Sequence, residues 1–302
     1  MKNIFVIGSV NTDITLTVSR LPQLGESVRG NGILTAQGGK GANQAIACAK
    51  LGGERVHFVG AVGTDERGDA LLKSVSDYGV LTEGCVRVHG AESGICVILF
   101  DEGANDNMLV VEEGANALLS PDIAEAYLKK NAKEGDILLV QLEISSAAVQ
   151  AALKTGKRLG LYTILNPAPA RAVEEEIFKN VDLLIPNETE FRAFTGIEAN
   201  NSENILRGYQ ILKKKGVEAL IVTRGRYGST YVGEEQFDVA AVPVKAVDTT
   251  AAGDTFIGAL SVCLAKGSGM KEAMLFASRC ASVTVSRKGA SQSIPYRDEI
   301  IG

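Results

Sequence analysis

The sequence predicts an α/β fold of three layers, α/β/α, on a mostly parallel central sheet, with a small separate β-sheet attached. Three observations predict it: short apolar runs recur between turn residues, helix-period segments lie between those runs, and two segments break the alternation. The runs Ile4–Ile7, Val56–Val59, 137–140, 162–165, 183–185 and 220–222 are apolar throughout or nearly so. Such runs are what strands buried on both faces require. Between them, 42–51, 121–130, 145–157, 190–195 and 203–215 repeat apolar residues at helical spacing. Repeated strand–helix alternation implies a parallel sheet covered on both sides. In 14–37 and 94–111, by contrast, β-branched and polar residues alternate around Gly and Asn turns. We read these as a small sheet forming a lid on a single domain of residues 1–302, against the plainer alternative of two surface hairpins.

The chain has 302 residues, 45% hydrophobic and 22% charged, enough to bury a large core. A net charge of −5 gives no basic footprint for nucleic acid or an anionic membrane, so neither is expected as a partner. Cys48, Cys85, Cys96, Cys263 and Cys280 are scattered, odd in number and without C-x-x-C spacing, as reduced thiols would be. The N-terminus enters a strand at once with no signal-peptide core, and no segment approaches a membrane span; a cytoplasmic protein is expected. The only histidines are His57 and His89, neither near a Ser or Cys nucleophile pattern. A His-dependent triad or a His-ligated zinc site is therefore not expected.

In an open parallel sheet, ligands bind beyond the carboxyl ends of the strands. Polar residues gather there: Asn11 and Asp13 after the first strand, Glu143, Asn166, then Asn187 and Glu190, each after another. The stretch Val247-Asp248-Thr249-Thr250-Ala251-Ala252-Gly253-Asp254-Thr255-Phe256 carries two carboxylates, a small-residue turn and a helix start expected near Gly253. Amides of Ala251, Ala252 and Gly253 at such a start make an anion hole, since a first helical turn has unpaired N–H groups and about half a positive charge. Asp254 beside it suits a base that takes a proton from an attacking hydroxyl. Alone, an acid in a first turn is equally a dipole complement.

Gly38-Gly39-Lys40-Gly41-Ala42-Asn43-Gln44-Ala45 combines glycines, a cation and amides before a helix. It is not a Walker A loop, because Gly41 follows Lys40 where Ser or Thr would ligate magnesium. With Asn11, Asp13 and Glu143 it supplies the donors and acceptors that a small polyol needs. Asn187-Glu188-Thr189-Glu190 matches a capping box and, equally, a place where Asn187 and Glu190 organise Mg²⁺ against nucleotide phosphates. Thr223-x-Gly225-x-x-Gly228 follows a strand and is a candidate nucleotide wall.

Together these motifs resemble the ribokinase family of ATP-dependent sugar kinases over nearly the whole chain. The shared residues are Gly8-Ser9-x-Asn11-x-Asp13, the Gly38 to Ala45 run, Gln141-Leu142-Glu143, Asn166-Pro167-Ala168-Pro169-Ala170, Pro186-Asn187-Glu188-Thr189-Glu190, Val247-Asp248-Thr249, Ala251 to Phe256 and Arg287-Lys288-Gly289-Ala290. The resemblance implies that Asn11, Asp13, Gly39, Lys40, Asn43 and Glu143 bind ribose and that Asp254 deprotonates its 5-hydroxyl. It implies ATP contacts at Asn187, Thr223, Gly225, Gly228, Gly253 and Ser278, with Glu190 in the Mg²⁺ region. It further implies K⁺ held by Asp248, Thr250, Thr284, Arg287, Gly289 and Ser293, and a homodimer formed through the lid. At position 278 the Ser is short for an adenine contact, and the chain ends soon after Pro295-Tyr296-Arg297, so any terminal helix is short or absent. A 2-deoxyribose or nucleoside kinase is the near alternative, although 14–37 lacks the aromatic platform a nucleobase would need. A non-catalytic sugar sensor is the alternative of another class. A dinucleotide oxidoreductase is disfavoured, because the first strand ends without G-x-G-x-x-G.

Overall fold

The computed structural model describes residues 2–104 and 106–301. Its central sheet contains β1 (Ile4–Ile7), β4 (Val56–Val59), β9 (Ile137–Gln141), β10 (Tyr162–Asn166), β11 (Leu183–Leu184), β12 (Ala219–Thr223), β13 (Ser229–Val232) and β14 (Gln236–Val239). The spatial order is β14-β13-β12-β11-β10-β9-β1-β4. All pairs from β12 to β4 are parallel, and β13 and β14 are added antiparallel. That hairpin was not foreseen. The turn from β12 into β13 holds Gly225 and Gly228 at φ 49° and 85°, so the glycines read as a nucleotide wall also reverse the chain there.

The sheet separates two cores. Alternate residues of β1 show it: Ile4 and Val6 join one apolar cluster, Phe5 and Ile7 the other. The first cluster takes side chains from α1 (Lys40–Lys50), α2 (Glu66–Ser76), α7 (Ala252–Ala265) and α8 (Met270–Val285). The second takes them from α3 (Pro121–Asn131), α4 (Ser146–Arg158), α5 (Glu188–Thr195) and α6 (Ser202–Lys215). The fold is thus the expected α/β/α sandwich. A four-residue helix, α9 (Asp298–Ile301), closes the described chain. No helix of the described residues is long and apolar enough to cross a membrane.

The second sheet has β2 (Asn11–Val18), β3 (Gly30–Gly38), β7 (Gly94–Asp101) and β8 (Asp106–Glu112) in the order β3-β2-β7-β8. It starts earlier than expected. Asn11 and Asp13 lie inside β2, not in a loop after β1, and Asp13 pairs with Ala36 and Cys96. The polar residues disguised a strand whose other positions are Thr, Ile, Leu and Val. A short parallel pair, β5 (Ala61–Gly63) with β6 (Val86–Val88), lies outside both sheets. Every residue of β8 is exposed, and Ile33, Met108 and Val110 stand 57 to 71% accessible.

Candidate active site

Two segments more than two hundred residues apart in the chain meet in one crevice. The first is the turn from β3 into α1. Gly39 precedes the helix at φ 90°, a conformation disfavoured for residues with a side chain. Gly41 lies so close to the chain leaving β1 that a Cβ would stand 2.6 Å from Gly8 C and Ser9 N. This contact sets Lys40 over the end of the sheet. Glu143, just beyond β9, accepts at Oε2 from Ser9 Oγ (2.6 Å) and from the Lys40 amide (3.0 Å). The Lys40 ammonium stands 3.9 Å from Glu143 Oε1. Burial opposes that ammonium's charge, but Asp254, Glu143, Glu190 and Asp13 outweigh it and push its pKa up. Burial, then the charges of Glu143 and Asp254, raise Asp13 to about 7 against the pull of Lys40. Asn11 is buried, its Oδ1 accepting from Asn116 Nδ2 at 2.8 Å.

The second segment is the start of α7. Ala251 precedes it at φ 60°, the one non-glycine with positive φ among the described residues. Such strain is held where the surroundings demand it. Beyond it the Gly253 and Asp254 amides have no hydrogen-bond partner among the described residues. Asp254 is 8% exposed, and its carboxylate accepts from Asn43 Nδ2 (3.3 Å) and Gln44 Nε2 (3.0 Å). Its pKa is raised, chiefly by burial, against the charge of Lys40 and the amide donors. A buried carboxylate beside free helical amides can accept a proton at one atom while the amides receive negative charge at another.

Further along the strand ends, Asn187 caps α5 in a complete capping box. Its Oδ1 accepts from the Glu190 amide, and Glu190 accepts from the Asn187 amide (2.8 Å) and Nδ2 (3.0 Å). The capping explanation is therefore real. Glu190 is nevertheless buried, with its pKa raised first by burial and pulled back by the Asn187 amide and Lys40, so it also belongs to the crevice. Thr223 bridges to Asn187 from the neighbouring strand end. Ser278 lies half-buried on α8, its Oγ 3.5 Å from the Ala240 carbonyl.

Asp248 joins two loops, accepting at Oδ1 from the Thr250 amide (2.9 Å) and at Oδ2 from the Gly289 amide (3.0 Å). The side chains of Thr284, Arg287 and Ser293 are engaged with Thr255, Glu299 and the Ala290 carbonyl. The carbonyls of Asp248, Thr250, Arg287, Gly289 and Ser293 accept no hydrogen bond among the described residues. Unpaired carbonyls on the two loops that Asp248 joins are hard oxygen donors of the kind an alkali cation takes. The Thr284 carbonyl differs, since it accepts from Arg287 N.

Sequence reasoning overlooked Asn116 and saw Ser9, Gln44 and Gln141 only as parts of motifs. Each is almost wholly buried and holds a crevice residue directly or through another amide. The available signal was a polar residue in an otherwise apolar or small-residue run.

The family model described as pfkB family carbohydrate kinase matches residues 1–297. The chain is 38% identical to the ribokinase of Bacillus subtilis, covering 99% of this chain and 98% of that one. It is 37% identical to the bifunctional ribokinase/ribose-5-phosphate isomerase A of Fructilactobacillus sanfranciscensis, over 100% of this chain but only 56% of that longer protein. Its fold superimposes with a TM-score of 0.89 on the Arabidopsis thaliana ribokinase complexed with ribose and ATP, at 31% identity, covering 99% of this chain and 97% of that one.

Proposed function

The chain belongs to the pfkB family of carbohydrate kinases, and we propose that it transfers the γ-phosphoryl group of ATP to the 5-hydroxyl of D-ribose. One observation carries this reading: the buried Asp254 carboxylate stands beside the unpaired Gly253 and Asp254 amides and opposite Lys40, Asn43 and Glu143. Asn11, Asp13, Gly39, Lys40, Asn43 and Glu143 bind the sugar hydroxyls. Asp254 takes the proton of O5 as the new O–P bond forms, while the bond from the γ-phosphorus to the bridging oxygen breaks and ADP leaves with that electron pair. The amides of Ala251, Gly253 and Asp254 stabilise charge on the transferring group, whereas the Ala252 amide, expected to share that role, donates to the Thr249 carbonyl (3.3 Å); positioning and electrostatics do most of the work. Asn187, Thr223, Gly225, Gly228, Gly253 and Ser278 hold the nucleotide.

Glu190 is the residue that would face Mg²⁺, which neutralises phosphate charge when bound; its remaining oxygen lone pairs suit a hydrated hard cation. Asp248 and the free carbonyls of Thr250, Arg287, Gly289 and Ser293 would hold K⁺, with Thr284 alongside. The cation's positive charge would steady the loop leading into α7. The unpaired thiols, four of the five buried, agree with a reducing cytoplasm.

The four-stranded sheet acts as a lid over the crevice, and its exposed apolar residues on β3 and β8 support a homodimer joined through it. Val110→Lys is expected to convert the dimer to monomer in sedimentation velocity. An unaltered protein that already sediments as a monomer at micromolar concentration would remove the dimer from this account.

The assay for the whole reading is ADP release over a panel of pentoses, hexoses and nucleosides, with and without potassium. D-Ribose is expected to be the best acceptor, with potassium stimulating turnover. Equal turnover on 2-deoxyribose would move the assignment to a sibling kinase. Sugar binding without ADP release would leave a sensor.

A further inference from the structure

Asp254 receives two hydrogen bonds, and each ends a chain of amides whose direction is set by a main-chain carbonyl. The longer begins at the Ile185 carbonyl, just after β11, which can only accept. Asn166 must therefore turn Nδ2 towards it (2.9 Å), leaving Oδ1 facing Gln44 Nε2 (3.2 Å). Gln44 Nε2 also donates to Asp254 Oδ1 at 3.0 Å, and its Oε1 accepts from Gln141 Nε2 at 2.6 Å. Reversing Gln44 would set its oxygen against two acceptors, so the orientation is forced. The shorter chain begins at the Gly38 carbonyl, where Gln37 Nε2 donates (2.7 Å) and also reaches Asn43 Oδ1 (3.4 Å). Asn43 Nδ2 then points to Asp254 Oδ2 (3.3 Å).

Gln44 and Gln141 are fully buried, and Asn166 is 8% exposed. Three amides linked across α1, β9 and β10 in a largely apolar core would be costly without these mutual bonds, which leave only Gln141 Oε1 without a partner among the described residues. They converge on one carboxylate.

We infer that Gln44, oriented by Gln141 and Asn166, is a positioning residue that fixes the Asp254 carboxylate plane and favours its ionised form at the start of the reaction. This rests on the reading of Asp254 as the base. The charged groups facing Asp254 from the surrounding elements are Lys40 on α1, Asp13 on β2, Glu143 after β9 and Glu190 on α5. Only Lys40 favours the carboxylate; the other three oppose it. A fixed N–H donor is therefore a principal aid to keeping the base charged in a buried setting.

The test measures kcat against pH, with equilibrium sugar affinity by calorimetry, in the unaltered protein, Gln44→Met, Gln141→Met and Asp254→Asn. Gln44→Met removes the donor while keeping an unbranched side chain of similar length. Its acid limb is expected to move about one pH unit upward, with a tenfold to hundredfold loss of kcat at pH 7 and sugar affinity changed less than about threefold. Gln141→Met should move the limb the same way by less, because Gln44 keeps its donor but loses one anchor. This second variant carries the test should Gln44→Met fail to fold by circular dichroism. A folded Gln44→Met, or failing that Gln141→Met, with an unmoved acid limb overturns the inference while Asp254 remains the base. If Asp254→Asn keeps its turnover and acid limb, the base assignment falls and the role of Gln44 falls with it.

Discussion

Asp254→Asn is expected to lower turnover by roughly two to four powers of ten, the range a positioned general base contributes, while sugar affinity stays within a few fold. Asn keeps the shape of the side chain and can still accept from Asn43 or Gln44 through its oxygen. It cannot take the hydroxyl proton. The amides of α7 lie in the backbone and survive the change, so electrostatic stabilisation of the phosphoryl group is retained and the loss isolates proton removal. Single-turnover measurements with ATP in excess separate this from product release. A variant retaining most of the rate would leave the carboxylate a structural role only, as a dipole complement at the first turn of α7.

How much of this was legible in the sequence depends on what each residue's meaning requires. The strands Ile4–Ile7 and Val56–Val59 were readable because burial on both faces demands apolar residues at every position, and nothing outside the segment is needed to see it. The hairpin β13 and β14 escaped because Ser229-Thr230-Tyr231-Val232 lies straight after a glycine turn and its polar positions are satisfied only across the strand, as Thr230 is by Asp238. Helix α2 escaped although Asp65 caps it through the Gly68 amide, since a capping acid is also an ordinary loop residue until the helix is seen. In the crevice, the anion-hole turn and the glycine–lysine turn were each locally visible. Their meeting was not, because hydrogen bonds from Asn43 and Gln44 to Asp254 span more than two hundred residues and no spacing rule reports them. The motif resemblance supplied that link. Gln44 and Gln141 stood out locally only as polar residues in apolar or small-residue runs; their role was not visible, because a buried amide acquires it from which carbonyl begins the chain.

Asp13→Asn should stabilise the sugar-free protein at pH 8 and cost it sugar affinity, about a hundredfold or more. The sign follows from the raised pKa. An ordinary aspartate titrates near 3.8 in the unfolded chain, whereas in the fold Asp13 is held at about 7 by burial and by Glu143 and Asp254. The folded state binds this proton more tightly, so the stability it contributes is fully present below about pH 4. That contribution is lost as pH rises to about 7. Above that, an ionised Asp13 sits buried among carboxylates at a cost on the order of 4 kcal/mol, taking about 1.4 kcal/mol for each pH unit between the two values. Asn removes the charge. Its melting temperature should therefore exceed that of the unaltered protein by several degrees at pH 8 and differ little at pH 4.5. The sugar reverses the balance: hydroxyls donating to the carboxylate favour its ionised form, so binding near pH 6 to 7 should release a proton into the buffer. Calorimetry in buffers of different ionisation enthalpy measures that release, and the Asn variant should show none from this site. A destabilising burial of charge that becomes useful only when the ligand arrives is how a site stores selectivity for a polyhydroxylated guest, since a ligand lacking the hydroxyls leaves the carboxylate unpaired. Equal melting temperatures at pH 8, together with no proton release, would show that Asp13 is solvated and ionised in the free protein.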